Sequence, residues 1–245
     1  MMGLPYNYNI YGRLGSLFYW IGLVMKVVQF ETREELISVA VILIKEELQK
    51  KSNKLHAVML SGGSTPLGIY KKIAENPFFV DPHAVITYSD ERLVPINDNE
   101  NNYYQSEKMV KALKIKAENI IRVKTELGHD ESAEAFHKDL SNLLLEGRVP
   151  LGVLGMGADG HTASLFTLKN VDEGQGKMAI AVTKDKPPHR VSVTKEFLDQ
   201  CDKLIVLLAG VEKQEILKVL LKSPESIPAG KALKNHPCVE VWVSV

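Results

Sequence analysis

The chain has 245 residues, 45% hydrophobic and 24% charged, the composition of a globular protein that buries one large core or at most two small ones. Thirty basic side chains balance thirty acidic ones, so no net field draws the protein to nucleic acid or to an anionic membrane. Any anion it binds must be caught by a local pocket. Cys201 and Cys238 are the only cysteines and have neither CxxC nor metal-ligand spacing, so they read as reduced thiols of a reducing, cytoplasmic compartment.

The first 24 residues stand apart. They are rich in aromatics, and the apolar run from Leu14 to Met25, about 12 residues, is too short to span a bilayer. One arginine precedes it and no small-residue cleavage pattern follows. Two readings stand: a signal peptide, or an N-terminal extension of upstream sequence translated ahead of a start at Met25. The strand-like "MKVVQF" favours the second and makes residues 25–245 the domain.

From Met25 strand-like and helix-like segments alternate. "KVVQF" (26–30) is followed by a helix opened by Thr32, with Glu35 three residues later in capping-box spacing. "HAVML" (56–60) is a strand, and "TPLGIYKKIAE" (65–75) a helix with Pro66 at its first position. "AVITY" (84–88) is a third strand; a polar loop from Asn97 to Asn102 then leads to a helix ending near Leu113. "NIIRV" (119–123) follows. Asp130 caps a helix that carries Ala133, Phe136, Leu140, Leu143 and Leu144 on one face. "LGVLG" (151–155), "KMAIAV" (177–182), "RVSVT" (190–194), "KLIVLLA" (203–209) and "CVEVWV" (238–243) continue the alternation, with a helix from Val211 to Leu221. Apolar strands separated by helices predict a mainly parallel sheet covered on both faces, one three-layer α/β/α domain.

Ligands of such sheets bind beyond the carboxyl ends of the strands, and three loops there are unusual. In "LSGGSTPLGIY", Gly62 and Gly63 let the backbone approach a ligand, Ser64 and Thr65 add hydroxyls, and the helix start offers free N–H groups to a phosphate. The run is neither GxGxxG nor a Walker motif, so no nucleotide is implied; a plain strand-to-helix turn would look the same. "YSDERLVPINDNENNY" places Asp90, Glu91 and Arg92 directly after a strand, as a salt-bridged turn also would. "LGMGADGHTASLF" sits where a strand ends and a helix could begin. Gly155 and Gly157 leave room at the backbone. Asp159 is close enough to cap that helix or to orient His161, the side chain suited to proton transfer near neutral pH. Arg190, after "KPPH", and Lys213, in "GVEKQEIL", can reach an anion on the same rim.

Taken in order, "LSGGSTPLGIY", "SDERLVP", "LGMGADGHTASLF" and "PPHRVSVT" resemble the 6-phosphogluconolactonase family from Met25 to the end of the chain. The resemblance implies a Rossmann-like fold shared with glucosamine-6-phosphate isomerase/deaminase relatives. It also implies cofactor-free hydrolysis of 6-phosphogluconolactone to 6-phosphogluconate in the oxidative pentose phosphate pathway. The implied partner is a small sugar-phosphate lactone, with no metal, nucleic acid or membrane. By position, the family's phosphate loop falls on Gly62, Gly63, Ser64 and Thr65 and its phosphate-binding cations on Arg190 and Lys213. Its acid-rich turn falls on Asp90, Glu91 and Arg92, with Asn102 beyond, and its general base on His161.

Two departures are visible. Asn101-Asn102 replaces the family's Ser-Asn, and Phe166-Thr167 replaces Phe-Pro, losing a rigid turn after the expected catalytic helix. The deaminase branch has a glutamate seven residues after the aspartate, where this chain has Phe166, and a tyrosine at Arg92; both differences favour the lactonase. The implied chemistry is attack of a water deprotonated by His161, with the ring held by Asp159 or a backbone group. Oxyanion donors would be backbone N–H groups of the glycine-rich turn or Arg92. A serine nucleophile at Ser61, Ser64 or Ser89 lacks a GxSxG elbow, and the seven histidines show no HxH or HExxH spacing. The remaining alternatives are a deaminase and a non-catalytic sugar-phosphate sensor.

Overall fold

A computed structural model describes residues 18–21 and 25–244. Its strands are β1 (Phe18–Ile21), β2 (Met25–Phe30), β3 (Leu55–Leu60), β4 (Ala84–Tyr88), β5 (Asp90–Arg92), β6 (Ile120–Ile121), β7 (Gly147–Gly155), β8 (Ala179–Val182), β9 (Arg190–Val193), β10 (Leu204–Ala209) and β11 (Val239–Ser244). Its α-helices are α1 (Arg33–Gln49), α2 (Ser64–Glu75), α3 (Asn102–Ala112), α4 (His129–Glu146), α5 (Leu168–Glu173), α6 (Lys195–Leu198), α7 (Gln214–Lys222) and α8 (Pro228–Leu233).

An eight-stranded sheet in the order β1-β2-β11-β10-β7-β3-β4-β6 forms the middle layer. Every pairing in it is parallel except that of β1 with β2. The fold is therefore the expected Rossmann-like α/β/α arrangement with a mainly parallel sheet. The expectation for residues 1–24 lies outside the described residues, except for 18–21, which supply the antiparallel edge strand.

Side chains alternate between two buried layers, as the strand period of two requires. Met59, Val85, Leu154, Val206 and Val241 pack with Phe136, Leu140 and Leu143 of α4, with Phe197, and with Ala232 and Leu233 of α8. Val58, Leu60, Ile86, Val153, Ile205 and Trp242 face the other way, onto α1, α2 and α3 through Leu36, Ile44, Ile69, Ile73 and Met109. Because both faces are covered, the strands read as near-continuous apolar runs.

Several local expectations change. "KMAIAV" and "RVSVT" do not join the main sheet; as β8 and β9 they form a separate antiparallel sheet with β5. Here β9 pairs residue by residue with the polar Asp90–Arg92 segment. The helix expected from an Asp130 cap begins at His129, with Gly128 at the cap and its N–H donating to Glu131. "NIIRV" keeps strand geometry only at Ile120–Ile121. Val211–Lys213 is a 3-10 turn, and the α-helix begins at Gln214. Thr32 caps α1 by accepting from the Glu35 N–H, while the Glu35 carboxylate reaches back to the N–H of Glu31. No helix among the described residues is long and apolar enough to cross a membrane.

Candidate active site

Along the sheet, β3, β4 and β6 succeed one another in one direction from the centre, and β7, β10 and β11 in the other. The order reverses between β3 and β7, and at such a point the following loops part and leave a crevice. A cleft of about 440 Å3 opens there, lined from the β3 loop by Ser61, Gly62, Gly63, Ser64 and Thr65. Asp90 and Arg92 line it from β5, Gly155, Gly157 and His161 from the β7 loop, and Lys213 from the β10 loop. Arg190 enters at the start of β9, where it sits opposite Arg92 in the antiparallel register. A wider hollow of about 770 Å3 lies between α4, α5 and β8. Asp130, Glu131, Glu134 and Glu173 face it beside Lys169 and Lys177, a poor seat for an anion and away from the strand ends.

The GGST loop is shaped by two close approaches. Gly63 has φ +115, in the left-handed region, and forms the N-cap of α2. A Cβ on Gly62 would lie 2.1 Å from Oδ1 of Asn102. The loop is thereby pressed against the start of α3, and the free N–H groups at the start of α2 line the cleft.

The β7 loop carries the imidazole. His161 Nδ1 and Asp159 Oδ1 are 2.5 Å apart, and the His161 backbone N–H also points at that oxygen, at 3.3 Å. Partial burial pushes the Asp159 carboxyl up, but the hydrogen bond and charge of His161 outweigh it and hold the group below its ordinary value. The pair orients Nε2 away from Asp159. Gly157 makes room for it, since a Cβ there would fall 2.3 Å from both Asp159 Oδ1 and His161 Nδ1. No helix follows directly: Met156 bridges to Thr162 and Thr162 to Leu165. Thr167 then caps α5, accepting from the Asn170 N–H while Asn170 accepts from its own. There is thus no catalytic helix for Thr167 to terminate; it starts the next one. The Phe166 ring lies 4.8 Å from that of His161.

Asp90 is nearly buried and accepts hydrogen bonds from Ser89 and Ser164, each at 2.7 Å. Arg92 donates to the carbonyl of Glu100 at 2.7 Å, and its Nε has no partner among the described residues. Arg190 donates to the carbonyls of Pro188 and His189. Burial, then the like charge of Arg92, lowers its pKa below the ordinary guanidinium value. Lys213 reaches the carbonyl of Met156 at 2.9 Å.

Two of the expected contact residues do not line the cleft in this structure. Glu91 and Asn102 are about 1% exposed and lie behind the cleft wall rather than on it. The Glu91 carboxylate accepts from the backbone N–H groups of Arg92, Asn102 and Tyr103, bolting β5 to the N-terminus of α3. Asn102 donates its side-chain amide to the carbonyl of Asp90. Asn101, in the position of the family's serine, still caps α3 by accepting from the Tyr104 N–H. The cleft also contains Ser164, Lys184 and Glu212, which sequence reasoning passed over. For Lys184 the available signal was a basic residue three positions before the Pro187-Pro188 pair.

The fold and cleft define a class: an α/β protein with cations and a helix start gathered around an imidazole at the switch point of a parallel sheet. The family model described as glucosamine-6-phosphate isomerases/6-phosphogluconolactonase matches residues 31–242, and the chain belongs to that family. It is 32% identical over 226 residues to 6-phosphogluconolactonase of Haemophilus influenzae, covering 89% of this chain and 96% of that one. It is 33% identical over 190 residues to 6-phosphogluconolactonase of Chlamydia pneumoniae, covering 75% and 70%. A crystal structure of a 6-phosphogluconolactonase from Shewanella baltica shares the fold, with TM-score 0.78 at 23% identity over 91% of this chain and 98% of that one.

Proposed function

We propose that the chain hydrolyses 6-phospho-D-glucono-1,5-lactone to 6-phospho-D-gluconate, the activity of a 6-phosphogluconolactonase in the oxidative pentose phosphate pathway. The observation that carries this reading is the cleft itself, where an oriented imidazole and a cationic cradle face each other across the switch point. The phosphate docks on Gly62, Gly63, Ser64 and Thr65 with Arg190 and Lys213, which sets the lactone carbonyl beside His161. With Nδ1 tied to Asp159, Nε2 accepts a proton from water as the water oxygen bonds to C1. The electron pair moves onto the carbonyl oxygen, where Arg92 or the amides of the glycine-rich turn serve as donors. When the C1–ring oxygen bond breaks, the imidazolium returns its proton to that oxygen, leaving a C5 hydroxyl and a carboxylic acid that ionises. Asp90, fixed by its two serine hydroxyls, is placed to accept from a sugar hydroxyl. Phe166 puts an apolar ring, with no proton to move, beside the histidine.

The test is a coupled assay with freshly generated lactone, run beside glucosamine 6-phosphate. Accelerated lactone hydrolysis supports the proposal. Ammonia release from the amino sugar would reassign the chain to a deaminase, and tight binding of sugar phosphate without turnover would make it a sensor.

A further inference from the structure

The cations of the cleft are not equally committed. Arg92, Arg190 and Lys213 each donate to backbone carbonyls that fix their direction. Lys184 is half-buried, and its side-chain ammonium has no hydrogen bond or acidic partner among the described residues. Its Nζ rests 4.4 Å above the centre of the Phe166 ring, which also contacts the His161 ring, tilted to it at 4.8 Å between centroids. A cation held only by a ring face keeps all three ammonium hydrogens for another acceptor. The chain segment is itself anchored, because the Lys184 backbone N–H donates to Nδ1 of His189.

We propose that Lys184 is a direct contact for the C1 oxygen of the substrate, the carbonyl oxygen that becomes the oxyanion and then a carboxylate oxygen of the product. The inference rests on the lactonase reading. That substrate carries two anionic ends once reaction begins, a phosphate at one end of the sugar and a developing charge at C1. The Phe166 ring, shared by Lys184 and His161, keeps the ammonium in the neighbourhood of the imidazole, where the second charge appears. A contact that strengthens with charge lowers the barrier more than it tightens substrate binding, and it persists in the product as an ammonium–carboxylate pair.

The test compares Lys184→Met, which keeps the stem and removes the charge, with Lys184→Arg. For lactone, the methionine variant should lose on the order of 10–100-fold in kcat with KM changed less than about threefold, and the arginine variant should recover part of the loss. Calorimetry supplies a readout independent of turnover: 6-phosphogluconate should bind the methionine variant on the order of tenfold more weakly than wild type. Glucitol 6-phosphate, which has the phosphate and no carboxylate, should bind both alike. Equal weakening of the two ligands would place Lys184 on the phosphate instead, and unchanged kinetics and binding would make it a surface lysine; either overturns the proposal. A wild-type protein without lactone turnover would sink the functional reading, while the two-ligand comparison would still decide the Lys184 contact.

Discussion

At the scale of single residues, the proposed hydrolysis would divide the cleft between a group that moves protons and groups that hold charge. His161 is oriented by Asp159 and accommodated by the missing side chain of Gly157, whereas Arg190 is braced by two backbone carbonyls and faces the cradle. Removing the base should therefore act on the chemical step: His161→Ala should lower kcat by about 10²–10⁴ with a modest change in KM. Removing the cation should act on binding. A charge-assisted hydrogen bond is worth about 1.5–3 kcal/mol, so Arg190→Ala should raise KM on the order of 10–100-fold while leaving kcat within a few-fold. Steady-state kinetics on freshly generated lactone separate the two, and equal losses from both variants in both parameters would argue against this division of labour.

At the scale of elements, the joint between β5 and α3 is a buried carboxylate. Burial pushes Glu91 up to about 7, against three backbone N–H donors that favour its ionised form. The native state thus holds a proton that the unfolded chain has released, between the ordinary value near 4.5 and that raised one. Stability from this group is complete at lower pH and declines as pH rises through about 7. Glu91→Gln titrates nowhere. The wild-type stability relative to this variant should fall by up to roughly 3 kcal/mol between pH 4.5 and 8, read by urea unfolding at several pH values. Parallel pH profiles for the two proteins would show that Glu91 stays ionised in its socket.

The same joint shows why parts of the molecule were legible in the sequence and others not. β3, β4, β7 and β10 are long apolar runs whose burial on both faces is written in their composition, and the loops after them could be placed on one rim without coordinates. Asp90–Arg92 carries no such signal: three polar residues become a strand only because β9 runs antiparallel beside them. Periodicity identifies a strand but not its partner, so the alternation predicts β8 and β9 in the main sheet, whereas they form a second, antiparallel sheet with β5. The motif Asp90-Glu91-Arg92 marked a site but could not say which side chains turn inward. Strand alternation sends Asp90 and Arg92 into the cleft and Glu91 behind it. Thr167 is comparable: read as a lost proline turn, it proves to be a helix cap.

At the scale of the whole molecule, one sheet separates two apolar layers that share no side chains, and the candidate site sits on the loops where four adjacent strands end. Every strand near the centre contributes alternate residues to both layers, as Val58 and Met59 do on β3. Neither layer can melt without exposing the opposite face of the same strands, so the domain should unfold as a unit despite its two cores. Phe136→Ala in the α4 layer should cost about 3–5 kcal/mol, and Leu36→Ala in the α1 layer about 2–5 kcal/mol. For a domain of this size either loss should lower Tm by roughly 4–20 °C. In both variants the far-ultraviolet and near-ultraviolet circular dichroism transitions should shift together and remain coincident. Separation of the two signals in one variant would mean that its layer loosens alone, and the cleft loops would then rest on two independent supports rather than on one sheet.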